Sequence, residues 1–286
     1  MSAMSTSTSL ALDHWSSDSY ASAADFVHKL TESVLRYLSP APSDRILDIG
    51  CGDGKLTAQI ASAVPHGLVR GLDRSANFIS FAQKTFPPSQ YPNLSFEDVD
   101  CAKLEPFVGA NRGTFDKVFS NAALHWILKE PSTRASTLRN VFQLLKPGGK
   151  FVFEMGGAGN VAEVHAALIF ALVKAGVSAH EAKSASPWFF PSDVLLQRML
   201  TEAGFEVQKV ELEYRPTKLE TGAGGGLRGW IELMGAQFLE KIDKGRRAAL
   251  VDEAVEILEP ICRREEGGEW LGYVRCRAIG HKPLSA

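Results

Sequence analysis

The chain has 286 residues, 45% of them hydrophobic, and a formal net charge of −2 from 31 basic and 33 acidic residues. This size and apolar content suit one large domain, and the balanced charge without a basic block argues against a nucleic-acid partner. The longest apolar-leaning run, 161–177, is interrupted by charged residues and is too polar to span a membrane. The four cysteines show neither paired nor metal-ligand spacing, so we expect no metal site and a reduced, cytoplasmic setting.

The N-terminal region divides into a tail and a helix. Residues 1–12 are rich in Ser and Thr and contain no Lys or Arg, so we expect a disordered tail without a signal or transit peptide. Apolar residues recur at spacing four from Phe26 to Leu38, which predicts a helix over 12–38. We therefore expect one domain over 13–286, in a monomer or a homodimer.

A short apolar run at 46–49 predicts the first buried strand, and glycines follow it at 50, 52 and 54. A helix is predicted next, over 55–64, since Leu56, Ile60 and Val64 share one face. A strand, a glycine-rich turn and a helix together are typical of the opening of a nucleotide-binding βαβ unit. Glycines let the main chain turn tightly there and approach a ligand closely.

Two carboxylates distinguish this turn from a dinucleotide site. Asp48 lies on the strand just before the glycines, where it would repel a pyrophosphate and favour a ligand with positive charge. Asp73 ends the next predicted strand, 68–73, and lies 19 residues after Gly54, where an acceptor for ribose hydroxyls is expected. The pattern therefore predicts a ligand with a ribose, a cationic part and no phosphates.

The remaining elements continue the alternation of strands and helices. Ser75 is expected to cap a helix that runs to about residue 86. The other predicted strands are 93–98, 115–120, 150–155, 205–215 and 273–282, and the other predicted helices are 133–145, 161–177, 192–204 and 227–264. If the sheet is parallel, the strand 115–120 ends in the cleft where ligands of open α/β sheets bind.

Four stretches together resemble the class I S-adenosylmethionine-dependent methyltransferases: DIGCGDG at 48–54, GLDRS at 71–75, FDKVFSNAALHW at 115–126 and LLKPGGKFVFEM at 144–155. Within them, SNAALHW most resembles the trans-aconitate methyltransferase-like group of small-molecule carboxyl methyltransferases. The resemblance implies an α/β, Rossmann-like fold: a seven-stranded, mostly parallel sheet with an antiparallel last strand at its edge, and helices on both faces. It also implies a helical cap over the acceptor, formed by about 156–200 and 222–264.

The resemblance implies that S-adenosyl-L-methionine is the cofactor. In this family an acid after the third strand takes the adenine amino group, and the next main-chain N–H takes a ring nitrogen. Asp100 with Cys101 matches best and Asp98 is the alternative, while an Asp that caps the following turn is the competing interpretation. Either Trp15 or Tyr20 closes over the cofactor, or both pack on the sheet edge. The other expected cofactor-binding residues are Asp48, Gly50, Cys51, Gly52, Gly54, Asp73, Arg74, Asn121 and Leu124.

The end of the fourth predicted strand carries the catalytic candidates. The resemblance implies that Asn121 and Leu124 lie beside the methionine part of the cofactor, with His125 and Trp126 near the reacting methyl group. A lone histidine is more often a hydrogen-bonded structural residue than a base, so His125 has that second interpretation as well.

The implied reaction transfers a methyl group to a small molecule, most simply to the oxygen of a carboxylate such as trans-aconitate. A carboxylate is already ionised at neutral pH and needs no general base, and the chain shows no convincing base pair. Methylation of a secondary metabolite at N, C or O, or of a malonyl carrier protein, is the alternative, since the aromatic run at 188–190 suits a larger apolar acceptor. A cofactor-binding partner subunit without catalysis is the third hypothesis.

Overall fold

The computed structural model describes residues 31–220 and 225–285. The predicted tail over 1–12, most of the predicted first helix, and both aromatic candidates, Trp15 and Tyr20, lie outside the described residues.

The strands and helices alternate along the described part of the chain. The strands are β1 Arg45–Ile49, β2 Leu68–Asp73, β3 Leu94–Asp98, β4 Phe115–Asn121, β5 Leu145–Gly156, β6 Glu206–Lys218 and β7 Trp270–His281. The helices are α1 Glu32–Leu38, α2 Lys55–Ala63, α3 Ala76–Thr85, α4 Glu105–Asn111, α5 Leu124–Ile127, α6 Pro131–Leu144, α7 Ala162–Lys174, α8 Ala179–Ser184, α9 Asp193–Glu202, α10 Gly226–Met234, α11 Ala236–Leu239 and α12 Arg247–Cys262.

The strands form one sheet in the order β3-β2-β1-β4-β5-β7-β6. β1 to β5 pair in parallel, whereas β7 runs antiparallel to both of its neighbours, β5 and β6. The predicted fold class, a mostly parallel seven-stranded α/β sheet with an antiparallel last strand, is confirmed. Because β1, β2, β4 and β5 all point the same way, their carboxyl ends meet along one edge, where ligands of such sheets bind.

The expectation that the last strand lies at the sheet edge is wrong. β7 is inserted between β5 and β6, and β6 forms the edge. Burial explains this order: residues 275–280 of β7 are buried on both faces, whereas β6 is mostly exposed or half-buried. Central strands are covered on both faces, while edge strands tolerate exposed polar side chains.

Apart from the first, most of which lies outside the described residues, the predicted helices agree with the structure except near the C-terminal end. Ser75 caps α3 as expected, because its hydroxyl accepts a hydrogen bond from Phe78 N–H at 3.2 Å. The single helix predicted over 227–264 is wrong, since the chain forms α10, α11 and α12 instead. Gly235 ends α10, in keeping with the low helix propensity of glycine.

Three apolar clusters hold the helices in place. One face of β5 packs Phe151 and Phe153 against α4, α6 and α9, and the other face packs Val152 beside α1 and α2. The third cluster joins the helices that follow β5 to those that follow β6, and includes Leu168, Trp188, Trp230, Phe238 and Leu258. Within the two described ranges, the helices are all too short or too polar to cross a membrane.

Candidate active site

The glycine turn after β1 requires glycine at two positions for steric reasons. Gly50 and Gly54 have φ values of 73° and 79°, which side chains of L-residues rarely adopt. A Cβ on Gly50 would overlap Cβ of Ala123, and a Cβ on Gly54 would lie 2.7 Å from the Phe96 ring. The turn is thereby held against the start of α5 on one side and against β3 on the other.

Gly52 is different because it opens onto empty space. Its φ is 55°, and a Cβ built there would meet no atom within 4 Å. Its N–H donates a 2.9 Å hydrogen bond to Oδ2 of Asp73, which ties the turn to the end of β2. Among the three glycines of the turn, Gly52 is the one whose main chain a ligand can approach.

Asp73 is held in a fixed orientation by main-chain donors. Gly52 N–H donates to one carboxylate oxygen, and Ser75 N–H donates to the other at 2.9 Å. The carboxylate at the end of β2 is therefore held in a fixed orientation at the carboxyl edge of the sheet. The next residue, Arg74, is exposed.

Asp48 is buried beneath the turn. Thr57 donates a 2.7 Å hydrogen bond from its hydroxyl to Oδ2 of Asp48. Burial raises the pKa of Asp48 to about 7, with the Asp73 charge adding and the Thr57 hydrogen bond opposing. A cation bound nearby favours the ionised carboxylate, so binding of a positively charged ligand is expected to release the proton of Asp48.

Two interpretations of Asp100, in the segment after β3, were an adenine-binding residue and a cap of the following turn. Asp100 accepts a 3.0 Å hydrogen bond from Ala102 N–H, which is the turn-capping arrangement. Cys101 is buried, with its thiol 3.9 Å from the carbonyl oxygen of Leu72, and burial raises its pKa. Asp98, the alternative, is exposed and lies opposite Asp73 in the register of β2 and β3. The structure thus places Asp98, Asp100 and Cys101 beside the end of β2.

The end of β4 is strained and carries an unsatisfied oxygen. Ala122 has a φ of 56° although it is not glycine, and its N–H donates to the Glu154 carbonyl at 2.7 Å. Oδ1 of Asn121 is buried and has no hydrogen-bond partner among the described residues. Leu124 is fully buried in the apolar cluster beneath, so it supports the site from below.

His125 is a hydrogen-bonded histidine with a fixed tautomer. Its Nδ1 accepts a 3.2 Å hydrogen bond from Gly156 N–H, which places the ring proton of the neutral form on Nε2. Burial, with the Arg275 charge adding, holds the pKa of His125 well below its usual range. The ring is therefore neutral near pH 7 and presents an N–H donor on Nε2 rather than a base.

Aromatic rings surround His125. The ring centroids of Trp126 and Phe190 each lie 5.6 Å from that of His125. Trp188 stacks on Phe190 at 5.7 Å and is only 9% exposed, so it belongs to the core of the surrounding helices. Phe189 is turned away and packs under the guanidinium of Arg134, whose central carbon lies 3.6 Å from the ring centroid.

A buried ionic cluster beside His125 was missed by the sequence analysis. Glu154 on β5 accepts hydrogen bonds from Nε of Arg275 at 2.9 Å and from Nε of Arg277 at 2.6 Å, and pairs with Arg215 at 3.2 Å. Desolvation opposes ionisation of Glu154, but the three arginines lower its pKa overall. The signal was present in β7, where arginines alternate with apolar residues, and Arg275 and Arg277 could serve as donors to a carboxylate, but the sequence alone does not show that they face the site.

The described groups at the ends of β1, β2 and β4 fit a ligand that carries ribose hydroxyls and a positive charge. Asp73 offers an oriented acceptor, Asp48 a carboxyl group that responds to a cation, and Gly52 an open main-chain face. Asn121 adds a buried oxygen that still lacks a donor. In residues 31–220 and 225–285, His, Cys, Asp and Glu form no cluster of three or more that could hold a metal ion.

Comparison with known proteins identifies the family of this chain. Residues 41–204 match a family model described as a methyltransferase domain. An uncharacterised methyltransferase of Schizosaccharomyces pombe is 35% identical over 273 residues, which cover 94% of this chain and 98% of that protein. A trans-aconitate 2-methyltransferase of Deinococcus radiodurans is 33% identical over 135 residues, which cover 47% of this chain and 46% of that protein.

A solved structure shares the fold. Phosphoethanolamine N-methyltransferase 2 of Haemonchus contortus, in complex with phosphomonomethylethanolamine and S-adenosylhomocysteine, superimposes with a TM-score of 0.54 at 18% identity. The match covers 93% of this chain and 56% of that one. Because the family model matches more than half of the chain and the Schizosaccharomyces relative nearly all of it, the chain belongs to the class I S-adenosylmethionine-dependent methyltransferases.

Proposed function

We propose that this methyltransferase transfers the methyl group of S-adenosylmethionine to a carboxylate oxygen of a small acid that resembles trans-aconitate. The observation that carries the proposal is the state of His125, whose Nδ1 is occupied by Gly156 N–H and whose pKa is lowered by burial. A phenol, an alcohol or an ammonium group must lose a proton before it can attack, whereas a carboxylate need not. An active site with a donor instead of a base suits the carboxylate.

The cofactor-binding roles follow from the groups at the glycine end of the site. Asp73 would hold the ribose hydroxyls, Gly52 would lie along the ligand, and Asp48 would balance its positive charge. Asp100 and Cys101 would meet the adenine, with Arg74 at the rim. When bound, S-adenosylmethionine supplies an electrophilic methyl group on a sulfonium. The chain's task is to align an acceptor with that group and to keep water away.

The helices after β5 and β6 would exclude water as a cap, formed by about 156–200 and 222–264. Their shared apolar cluster supports this role, because the Trp188 ring lies 5.9 Å from Trp230 and 5.7 Å from Phe238. Trp126 would then separate the cap from the acceptor, with its ring 5.8 Å from Trp188. Asn121 and His125 would line the floor beneath it.

Methylation of a larger apolar metabolite at N, C or O is the second candidate. The aromatic rings of Trp126 and Phe190 favour it, since they are half-buried and border His125. Trp188 contributes less to such a surface than its sequence position suggests, because it is buried among helices. We favour the carboxylate because the aromatic rings largely contact one another, and because a trans-aconitate 2-methyltransferase is among the similar proteins.

We also infer a cytoplasmic enzyme that acts as a monomer or homodimer on a small molecule and not on nucleic acid. The four cysteines support a reducing location, since all are buried free thiols.

Labelled methyl transfer tests the proposed function. Purified protein is titrated with S-adenosylmethionine and S-adenosylhomocysteine by calorimetry, then incubated with methyl-labelled cofactor and a panel of carboxylic acids that includes trans-aconitate. We expect a labelled product whose methyl group is released by mild base, as an ester requires. A product stable to mild base would favour the second candidate, and binding of both cofactor forms without turnover on any acceptor would contradict both.

A further inference from the structure

The ionic cluster beside His125 is built around the carboxylate of Glu154. Glu154 accepts from Arg275 and Arg215 on the same oxygen, Oε1, and from Arg277 on the other. Arg277 has further partners, because its Nη1 pairs with Glu213 and lies 3.6 Å from Glu211. At the Arg275 end, the guanidinium groups of Arg275 and Arg215 therefore share one carboxylate oxygen.

Arg275 also keeps unused donors. Its Nε donates to Glu154, while its two terminal nitrogens have no hydrogen-bond acceptor among the described residues. Arg275 is only 4% exposed, so these donors lie in a largely enclosed place where water competes little with a ligand. A planar pair of N–H donors of this kind matches the two oxygens of a carboxylate.

The register of three strands places Arg275 at the acceptor end of the site. Arg275 on β7 lies opposite Gly156 on β5, and Gly156 donates to Nδ1 of His125. Glu154, two residues earlier on β5, lies opposite Asn121 at the end of β4. The guanidinium and the His125 ring thus belong to one neighbourhood, and Nε2–H of that ring adds a neutral donor.

We propose that Arg275, assisted by Nε2–H of His125, binds a second carboxylate of the acceptor, one that is not methylated. This inference rests on the proposed function and refines it. A guanidinium that held the reacting carboxylate would occupy its lone pairs and weaken it as a nucleophile. The anchored group is therefore a different one, and the acceptor carries at least two carboxylates.

The test measures trans-aconitate affinity in variants of the full chain saturated with S-adenosylhomocysteine. Arg275→Gln should raise the Kd of trans-aconitate at least tenfold, and Arg275→Lys, which keeps the charge but not the planar fork, should raise it less. Affinity for S-adenosylhomocysteine should stay within twofold in both. The matched control is Arg228→Gln, an exposed arginine that pairs with Glu232 and Asp252 on the surface, and it should change neither Kd.

Two further variants guard against a purely structural effect. Glu154→Gln loosens the hold on Arg275 without removing its guanidinium, so it should raise the Kd of trans-aconitate less than Arg275→Gln does, whereas a role for Arg275 in folding alone gives no reason for that order. If Arg275→Gln fails to fold, the double variant E154Q/R275Q removes both charges together and should still lose acid binding.

The results separate the inference from the proposed function. Unchanged trans-aconitate affinity in Arg275→Gln or in the double variant overturns the anchoring role, even where the wild type forms a methyl ester. Failure of the wild type to bind trans-aconitate, with S-adenosylhomocysteine binding intact, overturns it too. Binding that depends on Arg275 without any base-labile product contradicts the proposed reaction but supports the anchor.

Discussion

The two ends of the candidate active site differ in whether main-chain groups or side chains form them. At the glycine end, near β1 and β2, the main chain determines the geometry, because its N–H groups orient Asp73 and its positive φ angles shape the turn. At the acceptor end, near β5 and β7, side chains do it, through the Glu154–Arg275 pair and the His125 ring. The first end suits a ligand of constant shape, and the second can be varied residue by residue while the sheet stays the same.

Replacing Gly50 should break the glycine end most severely. In Gly50→Ala, the new Cβ overlaps Ala123 and the φ of 73° becomes strained, at a cost of about 3 kcal/mol or more. We expect loss of measurable S-adenosylhomocysteine binding by calorimetry and a lower melting temperature. Gly109→Ala is the control, since a Cβ there meets nothing within 4 Å and lies in a helix. Normal binding in Gly50→Ala would show that the turn tolerates movement.

Asp73 tests whether oriented side chains matter at the glycine end as well. Asp73→Asn loses the charge and one of the two acceptor positions that Gly52 and Ser75 use. We expect S-adenosylhomocysteine affinity to fall by about 1–3 kcal/mol, or roughly 5–150-fold, in a calorimetric titration. Glu202→Gln, at an exposed helix end, should leave the affinity unchanged. Equal affinities in the two variants would remove Asp73 from the site.

Two replacements of His125 separate support from chemistry at the acceptor end. His125→Asn keeps an acceptor for Gly156 N–H but loses Nε2–H, so turnover should fall about tenfold with little change in melting temperature. His125→Ala also leaves the buried N–H unpaired and should cost about 1–3 kcal/mol of stability. Full turnover in the asparagine variant would make His125 a structural residue. Its lowered pKa also predicts that kcat/KM shows no inflection near pH 6.5 from this group.

Asp48 should give the smallest effect, seen as a pH dependence at the glycine end. Its pKa is raised to about 7 in the folded protein from an unperturbed 3.8, so ionisation destabilises the ligand-free protein as pH rises from about 4 to 7. A cation bound near Asp48 stabilises its ionised form and so lowers its pKa. We expect S-adenosylmethionine to bind about tenfold more weakly at pH 6 than at pH 8, with proton release measured by calorimetry in buffers of different ionisation enthalpy.

Asp48→Asn provides the control for this prediction. Its affinity should be independent of pH over the same interval, because no proton remains to be released at that position. A flat profile in the wild type would mean that the cation lies far from Asp48.

Local sequence patterns were sufficient to predict the structure of the glycine end but not that of the acceptor end. The turn, the Asp73 position and the Ser75 cap depend on residues close together in the chain, so their spacing reports the structure directly. Glu154 and Arg275 are 121 residues apart, and only the sheet order brings them together. The two wrong predictions, β7 at the sheet edge and a single helix over 227–264, have the same origin. In both cases the structure depends on packing against segments that are distant in the sequence.

The place of β7 also imposes an order of assembly on the newly made chain. β6 joins the sheet solely through β7, and β7 follows every other described strand in the chain. A ribosome therefore releases the five parallel strands, with the glycine turn complete, before the strand that carries Arg275 exists. The strands proposed to bind the cofactor are therefore synthesised first, and the strand proposed to anchor the acceptor is synthesised last.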